Sequence, residues 1–121
     1  MEVNDVRVGN WVHGGAQMKI YQVTNVHIAD LITIQNDEEE VECLSDRVYP
    51  IELTDDLLAK IGFKYKDGCF NRAGFEIYKQ MGKYYPYNYW EGIIIGREIE
   101  GLHHLQNLFY MLKGEELNIE L

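Results

Sequence analysis

With 121 residues, a hydrophobic content of 46% and a formal net charge of -9, the chain is long enough for one small globular core. It is too acidic for a general polyanion binder, which needs surplus Lys and Arg for phosphate contacts. Apolar runs such as Ile93-Ile94-Ile95 fall far short of the ~20 residues a membrane helix needs, and Met1-Glu2-Val3-Asn4-Asp5 has neither the basic start nor the apolar stretch of a secretion signal, so a cytoplasmic location is expected.

The first 53 residues read as short strands separated by turns. Val8-Gly9-Asn10-Trp11-Val12 leads into Gly14-Gly15. Ile20-Tyr21-Gln22-Val23, Val26-His27-Ile28 and Leu31-Ile32-Thr33-Ile34 follow, with the β-branched content and rough alternation of a half-buried sheet. Asn36-Asp37 supplies the next turn, Glu40-Val41-Glu42-Cys43 alternates with its carboxylates outward, and Tyr49-Pro50-Ile51-Glu52-Leu53 closes the set. This spacing predicts a small SH3-like antiparallel β-barrel, with a flat sheet covered by helices as the alternative.

Thr54-Asp55-Asp56 predicts a helix start, a hydroxyl cap followed by two carboxylates at the positive end of the dipole. Leu57, Leu58 and Ile61 form its buried side and Gly62 its stop. A second β-section follows. Asp67-Gly68 as a two-residue type I′ turn would set Lys66 opposite Cys69 and Tyr65 opposite Phe70. A further hairpin is expected around Met81-Gly82, joining Phe75-Glu76-Ile77-Tyr78 to the segment from Tyr84 to Trp90, before extended stretches at Gly92-Ile93-Ile94-Ile95 and Arg97-Glu98-Ile99-Glu100. In the last helix, Leu102, Leu105, Leu108, Phe109 and Leu112 fall in one stripe at 100° per residue, with His103, Asn107 and Tyr110 opposite. Lys113 and Gly114 end it. The fold class expected is α+β: the SH3-like antiparallel β-barrel in the N-terminal half, then a helix, a second antiparallel β-section and a C-terminal docking helix. Residues 1–121 read as one domain, with parts 1–53 and 54–121 sharing a core.

Charge is unevenly spread. Residues 1–61 hold 12 acidic and 4 basic side chains, whereas residues 62–90 hold Lys64, Lys66, Arg72, Lys79 and Lys83 against Asp67 and Glu76. The acidic half could therefore dock on the basic section, in the same chain or in a second copy. Asp37, Glu38, Glu39, Glu40 and Glu42 lack the alternating oxygen ligands and central Gly of a calcium loop. They read as a solvated turn, or as a contact for a basic partner. Tyr84, Tyr85, Tyr87, Tyr89 and Trp90 form the most unusual local composition. In an extended segment Tyr85, Tyr87 and Tyr89 face one way and Tyr84 and Trp90 the other. Beside Lys79 and Lys83 such aromatics can pack into a sheet, anchor a protein partner, or stack bases.

Neighbouring helical histidines point about 100° apart, so His103 and His104 do not make a metal pair. Cys43 and Cys69 match no zinc or redox spacing and read as buried, reduced thiols. Neither a nucleophile elbow nor a phosphate-binding glycine loop is present, so no enzyme activity, metal or cofactor is expected.

Two motifs, Pro50-Ile51-Glu52-Leu53-Thr54-Asp55-Asp56-Leu57-Leu58-Ala59-Lys60-Ile61-Gly62-Phe63 and His104-Leu105-Gln106-Asn107-Leu108 through Lys113-Gly114-Glu115-Glu116-Leu117, combine with the Val8-Gly9-Asn10-Trp11-Val12 opening. Together they resemble a family of small uncharacterised proteins common in Bacteroides-type gut bacteria and their phages and mobile elements. The similarity spans nearly the whole chain, but its motifs are structural and carry over no catalytic or ligand residue. The resemblance implies an intracellular accessory protein. The function expected is a non-enzymatic protein-interaction module, binding through the Tyr84 to Trp90 surface or the acidic first half. A nucleic-acid-associated protein is the alternative, either a single-strand binder through residues 62–90 or an acidic decoy, and a small enzyme is the third reading.

Overall fold

Turn residues punctuating apolar alternation build two antiparallel sheets in this chain. The structure, a computed structural model, describes residues 1, 5–88 and 90–121. They fall in two compact units: Met1–Glu52 with Gly101–Asn107, and Leu53–Glu100 with Leu108–Leu121.

In the first unit, β1 (Trp11–Gly14), β2 (Lys19–Val26), β3 (Leu31–Gln35), β4 (Glu40–Leu44) and β5 (Val48–Tyr49) lie in the order β4-β3-β2-β1-β5. The two edge strands, β4 and β5, are joined by a single 3-10 turn, Ser45–Arg47. So short a link reaches from one edge to the other only if the sheet curls, which makes it an antiparallel half-barrel. Val12, Tyr21, Val23, Ile32, Ile34 and Val48 fill the inside with Val6.

Local chemistry shifts several expected boundaries. Gly9 at φ 96° and the Asn10 N–H bond to the Arg7 carbonyl delay β1 to Trp11. The stretches Ile20–Val23 and Val26–Ile28 are largely one strand, β2, whose register slips between Val23 and Asn25. This bulge absorbs the break in alternation. Strand β5 stops at Tyr49, because Pro50 has no N–H to continue the ladder.

The opening turns of helix α2 (Leu102–Lys113) belong to this unit through residue 107. Leu102 and Leu105 are fully buried. Beside them, the Gln106 amide donates to the Gly9 carbonyl at 2.9 Å and accepts from the Trp11 N–H at 2.8 Å. The Asn107 side chain accepts from Asn10 Nδ2 at 2.8 Å and Arg7 Nε at 3.1 Å, and donates to the Asp5 carbonyl. Gly101 permits the approach: a Cβ there would lie 2.8 Å from the Pro50 Cβ.

The second unit begins with the predicted cap, Thr54 Oγ1 accepting from the Leu57 N–H at 3.0 Å, and helix α1 (Asp55–Lys60). Strands β6 (Lys64–Lys66), β7 (Cys69–Arg72), β8 (Phe75–Gln80), β9 (Lys83–Asn88) and β10 (Ile93–Ile94) follow in simple meander order. Three X-Gly pairs with positive φ, Asp67-Gly68, Ala73-Gly74 and Met81-Gly82, form its tight turns, as type I′ geometry requires. The first gives the expected register, Lys66 against Cys69 and Tyr65 against Phe70, with those two rings 5.0 Å apart. Residues 97–100 form no strand. Instead, Ile99 is buried and its N–H reaches the Tyr84 carbonyl. Phe63, Phe70, Phe75 and Ile77 form the core of this unit, with Phe109 5.6 Å from Phe75.

The helical stripe differs from expectation at both ends. His103 and Gln106 are buried while Leu112 is 55% exposed, because Gln106 satisfies main-chain groups that need a buried partner. His103 is therefore not a solvated histidine. Among the described residues no helix is long and apolar enough to cross a membrane.

Candidate functional site

The three X-Gly turns fix which side chains share a face of the second sheet. Tyr78 pairs with Tyr85 across β8 and β9, Ile94 pairs with Tyr87 across β9 and β10, and alternation along each strand puts all four on one face. The tyrosines are half-buried, and Tyr78 stacks on Tyr87 at 5.0 Å with an interplanar angle of 24°. Lys64, Lys66, Asn71 and Glu76 continue this face toward β6. Here a hollow of about 320 Å³ is lined by these four with Asp67 and Cys69. One carboxylate oxygen of Glu76, Oε2, is buried without a hydrogen-bond partner. The opposite face carries Phe70, Phe75, Ile77 and Tyr84 into the core.

The tyrosine row runs out to an unusual edge. Ile93, Ile94 and Ile95 are 46%, 37% and 40% exposed, and Trp90, in the turn before β10, is 91% exposed. Edge strands are commonly blunted by Lys, Pro or a covering segment. This one presents exposed isoleucines, of which Ile94 lies on the aromatic face beside Tyr87.

The sequence-predicted aromatic residues divide accordingly. Tyr85 and Tyr87 lie on the open face and Trp90 at its margin, whereas Tyr84 is buried, 6% exposed, with its hydroxyl donating to Asp55 at 2.6 Å. Tyr84 is therefore a packing residue and not a surface contact. Tyr84 and Trp90 do not share an environment, because β9 ends at Asn88. Tyr89 lies outside the described residues.

Most cations of the basic section serve the fold. Arg72 donates to the Ile61 and Asn118 carbonyls at 2.6 and 2.9 Å, the first of these at the C-terminus of α1, where a cation complements the dipole. Lys79 pairs with Asp55 at 3.1 Å and lies 5.6 Å above the Tyr84 ring. Lys83 sits 3.9 Å from Glu98. Hydrogen bonds from Tyr84, then from Lys79, hold the Asp55 carboxyl below the usual carboxylate range. Lys64 and Lys66 remain as the exposed lysines of the open face.

The acidic turn is likewise partly used. Asn36 Oδ1 accepts from the N–H groups of Glu38 and Glu39, fixing the turn. Glu38 pairs with Lys19 at 3.3 Å, and Glu39 accepts from the Tyr21 hydroxyl. Asp37, Glu40 and Glu42 are exposed, the last two along edge strand β4, where like charges discourage strand addition.

Burial pushes both thiols up, with Asp46 adding to the effect at Cys43, and Glu76 and Asp67 at Cys69. Neither is poised as a thiolate nucleophile. Among the described residues, no three His, Cys, Asp or Glu side chains converge as a metal site.

No protein-family model, curated protein or solved structure matches the chain.

Composition marks Tyr85 and Tyr87 but passes over Tyr78 and the isoleucine edge as site residues. The signal for Tyr78 is nonetheless in the sequence: counting strand register back from Met81-Gly82 places it opposite Tyr85.

Proposed function

We propose that this protein is a non-enzymatic interaction module whose partner, another protein, docks on the tyrosine face and isoleucine edge of the second sheet. The observation that carries this reading is the exposed edge strand β10, whose Ile94 extends the Tyr87, Tyr78 and Tyr85 row on one face. A protein partner can add main-chain hydrogen bonds to β10 while its side chains pack on the tyrosines, which offer large, rigid contact area at low entropic cost. The family resemblance supports an accessory role of this kind in the cytoplasm.

The test is quantitative affinity capture from cells of origin with the wild type, Tyr87→Ala and Ile94→Lys. Proteins enriched by the wild type should be lost from both variants, each verified as folded by its melt. Partner lists identical across the three would refute this surface.

Lys64 and Lys66 on the tyrosine face favour a second reading, single-stranded nucleic acid stacked on the same rings. That reading requires binding of a labelled oligonucleotide that weakens steeply with salt, and salt-insensitive or absent binding removes it.

A further inference from the structure

The half-barrel of the first unit does not close, and the seam between its edges holds a hollow of about 420 Å³, within the range of small-ligand pockets. Tyr21, Ile34, Val41 and Tyr49 supply apolar wall, and β4, β5 and the 3-10 turn between them all contribute. Two charged side chains of opposite sign, Glu39 and Arg47, line the same space without pairing with one another. Glu39 Oε1 accepts from Tyr21, and among the described residues no second donor reaches its carboxylate. The acid beside Arg47 is Asp46, 3.8 Å from its Nε, and the two side chains are 75% and 73% exposed, so that pair holds the guanidinium weakly.

We propose that this hollow binds a small apolar zwitterion, an amino acid with a branched or aromatic side chain or an apolar dipeptide, with its ammonium at Glu39 and its carboxylate at Arg47. Charge complementarity selects the class. An anion alone would meet the Glu39 carboxylate in the same hollow, and a cation alone would leave the guanidinium unmatched. A ligand carboxylate can take the planar fork of Arg47 bidentately. The Cys43 thiol on the same wall is kept neutral by burial and suits an apolar body. This site is separate from the second-sheet surface and stands or falls without it.

The test is amide NMR of the full chain titrated with L-leucine, L-phenylalanine, L-tryptophan, Leu-Leu and Phe-Phe. N-acetylphenylalaninamide serves as the uncharged control. Saturable shifts at Tyr21, Ile34, Val41, Arg47 and Tyr49 are expected, with dissociation constants between about 10 μM and 1 mM. Whether amino acids or dipeptides bind tighter reports the separation of the two charged ends. Arg47→Gln, an exposed change that leaves the core intact, should weaken binding about tenfold or more, and the uncharged control should bind no better than that variant. Absence of saturable shifts with all five probes, shifts centred elsewhere, or equal affinity for Arg47→Gln or for the uncharged control would each overturn the proposal.

Discussion

Gln106→Met tests whether helix α2 is held by polar clamping as well as by its apolar stripe. Methionine keeps close to the volume and flexibility of glutamine while deleting both hydrogen-bonding ends. The Gly9 carbonyl retains a second donor, Gln22 Nε2 at 3.1 Å, so its loss costs about 0.5–1 kcal/mol. The Trp11 N–H is less fortunate. Strand β5 pairs with β1 only at His13 and Gly14, so Trp11 lies beyond the end of the ladder and Gln106 is the acceptor that serves it. Orphaning a buried N–H costs about 1–3 kcal/mol, for a total of about 1.5–4 kcal/mol, a large share of the ~5–15 kcal/mol typical of a small protein. Urea unfolding should show the midpoint falling at unchanged slope, and hydrogen exchange should show the Trp11 amide losing protection. Gln106→Glu separates the two ends, since it keeps the acceptor but sets a carboxylate against the Gly9 carbonyl. Burial raises its folded pKa, so the variant should be most stable below the usual glutamate range and lose stability as pH rises through it. A Gln106→Met variant within about 0.5 kcal/mol of wild type, or with its Trp11 amide still protected, would show that the clamp contributes little and that the apolar stripe suffices.

Leu105→Ala, at a fully buried position, should cost about 2–5 kcal/mol in denaturant melts, and Leu112→Ala, at a position 55% exposed, about 0.5 kcal/mol or less. Equal losses would mean that the buried side of α2 is misassigned. Met81→Asn should stabilise by about 0.5–1 kcal/mol, because Met81 holds φ 52° while 93% exposed and Asn-Gly is the preferred pair for a type I′ turn. A lower melting temperature would contradict that turn geometry. Tyr84→Phe removes the donor that does most to depress the Asp55 pKa. A depressed carboxylate stabilises above its unfolded pKa, and that stability is lost as pH falls through the folded value. The gap between wild type and variant should therefore be about 0.5–1 kcal/mol at neutral pH and close in acid, and a gap that widens in acid would reverse the assignment.

Local rules make much of the second unit legible. The Thr54 cap, the Asp67-Gly68 register and the Tyr65–Phe70 contact follow from residues within a few positions of one another, where turn geometry and capping leave few alternatives. Ala73-Gly74 obeys the same rule but escapes a sequence reading, because alanine carries no turn signal of its own. Its positive φ is imposed by the hairpin on either side. The burial of His103 and Gln106 is not legible at all. A helical wheel ranks side chains by hydrophobicity, and it cannot see the Gly9 carbonyl and Trp11 N–H, about 95 positions away, that require a buried polar partner. Tertiary hydrogen bonding thus holds Gln106 on the buried side of the helix.

Composition locates the candidate surface approximately and misjudges its members for a related reason. Counting charges in residues 62–90 gives a basic patch, but three of its five cations have partners: Arg72 holds carbonyls, Lys79 holds Asp55 and Lys83 approaches Glu98. Counting carboxylates in residues 37–42 gives an acidic patch, but Glu38 and Glu39 are engaged by Lys19 and Tyr21. Charge available to a partner is what remains after such pairings. On the second sheet that remainder is Lys64 and Lys66, set on the same face as the tyrosines. Substituting both by alanine should therefore leave docking on the isoleucine edge intact, whereas a nucleic-acid ligand would lose its steepest salt dependence. That difference separates the two readings of the face whatever the identity of the partner.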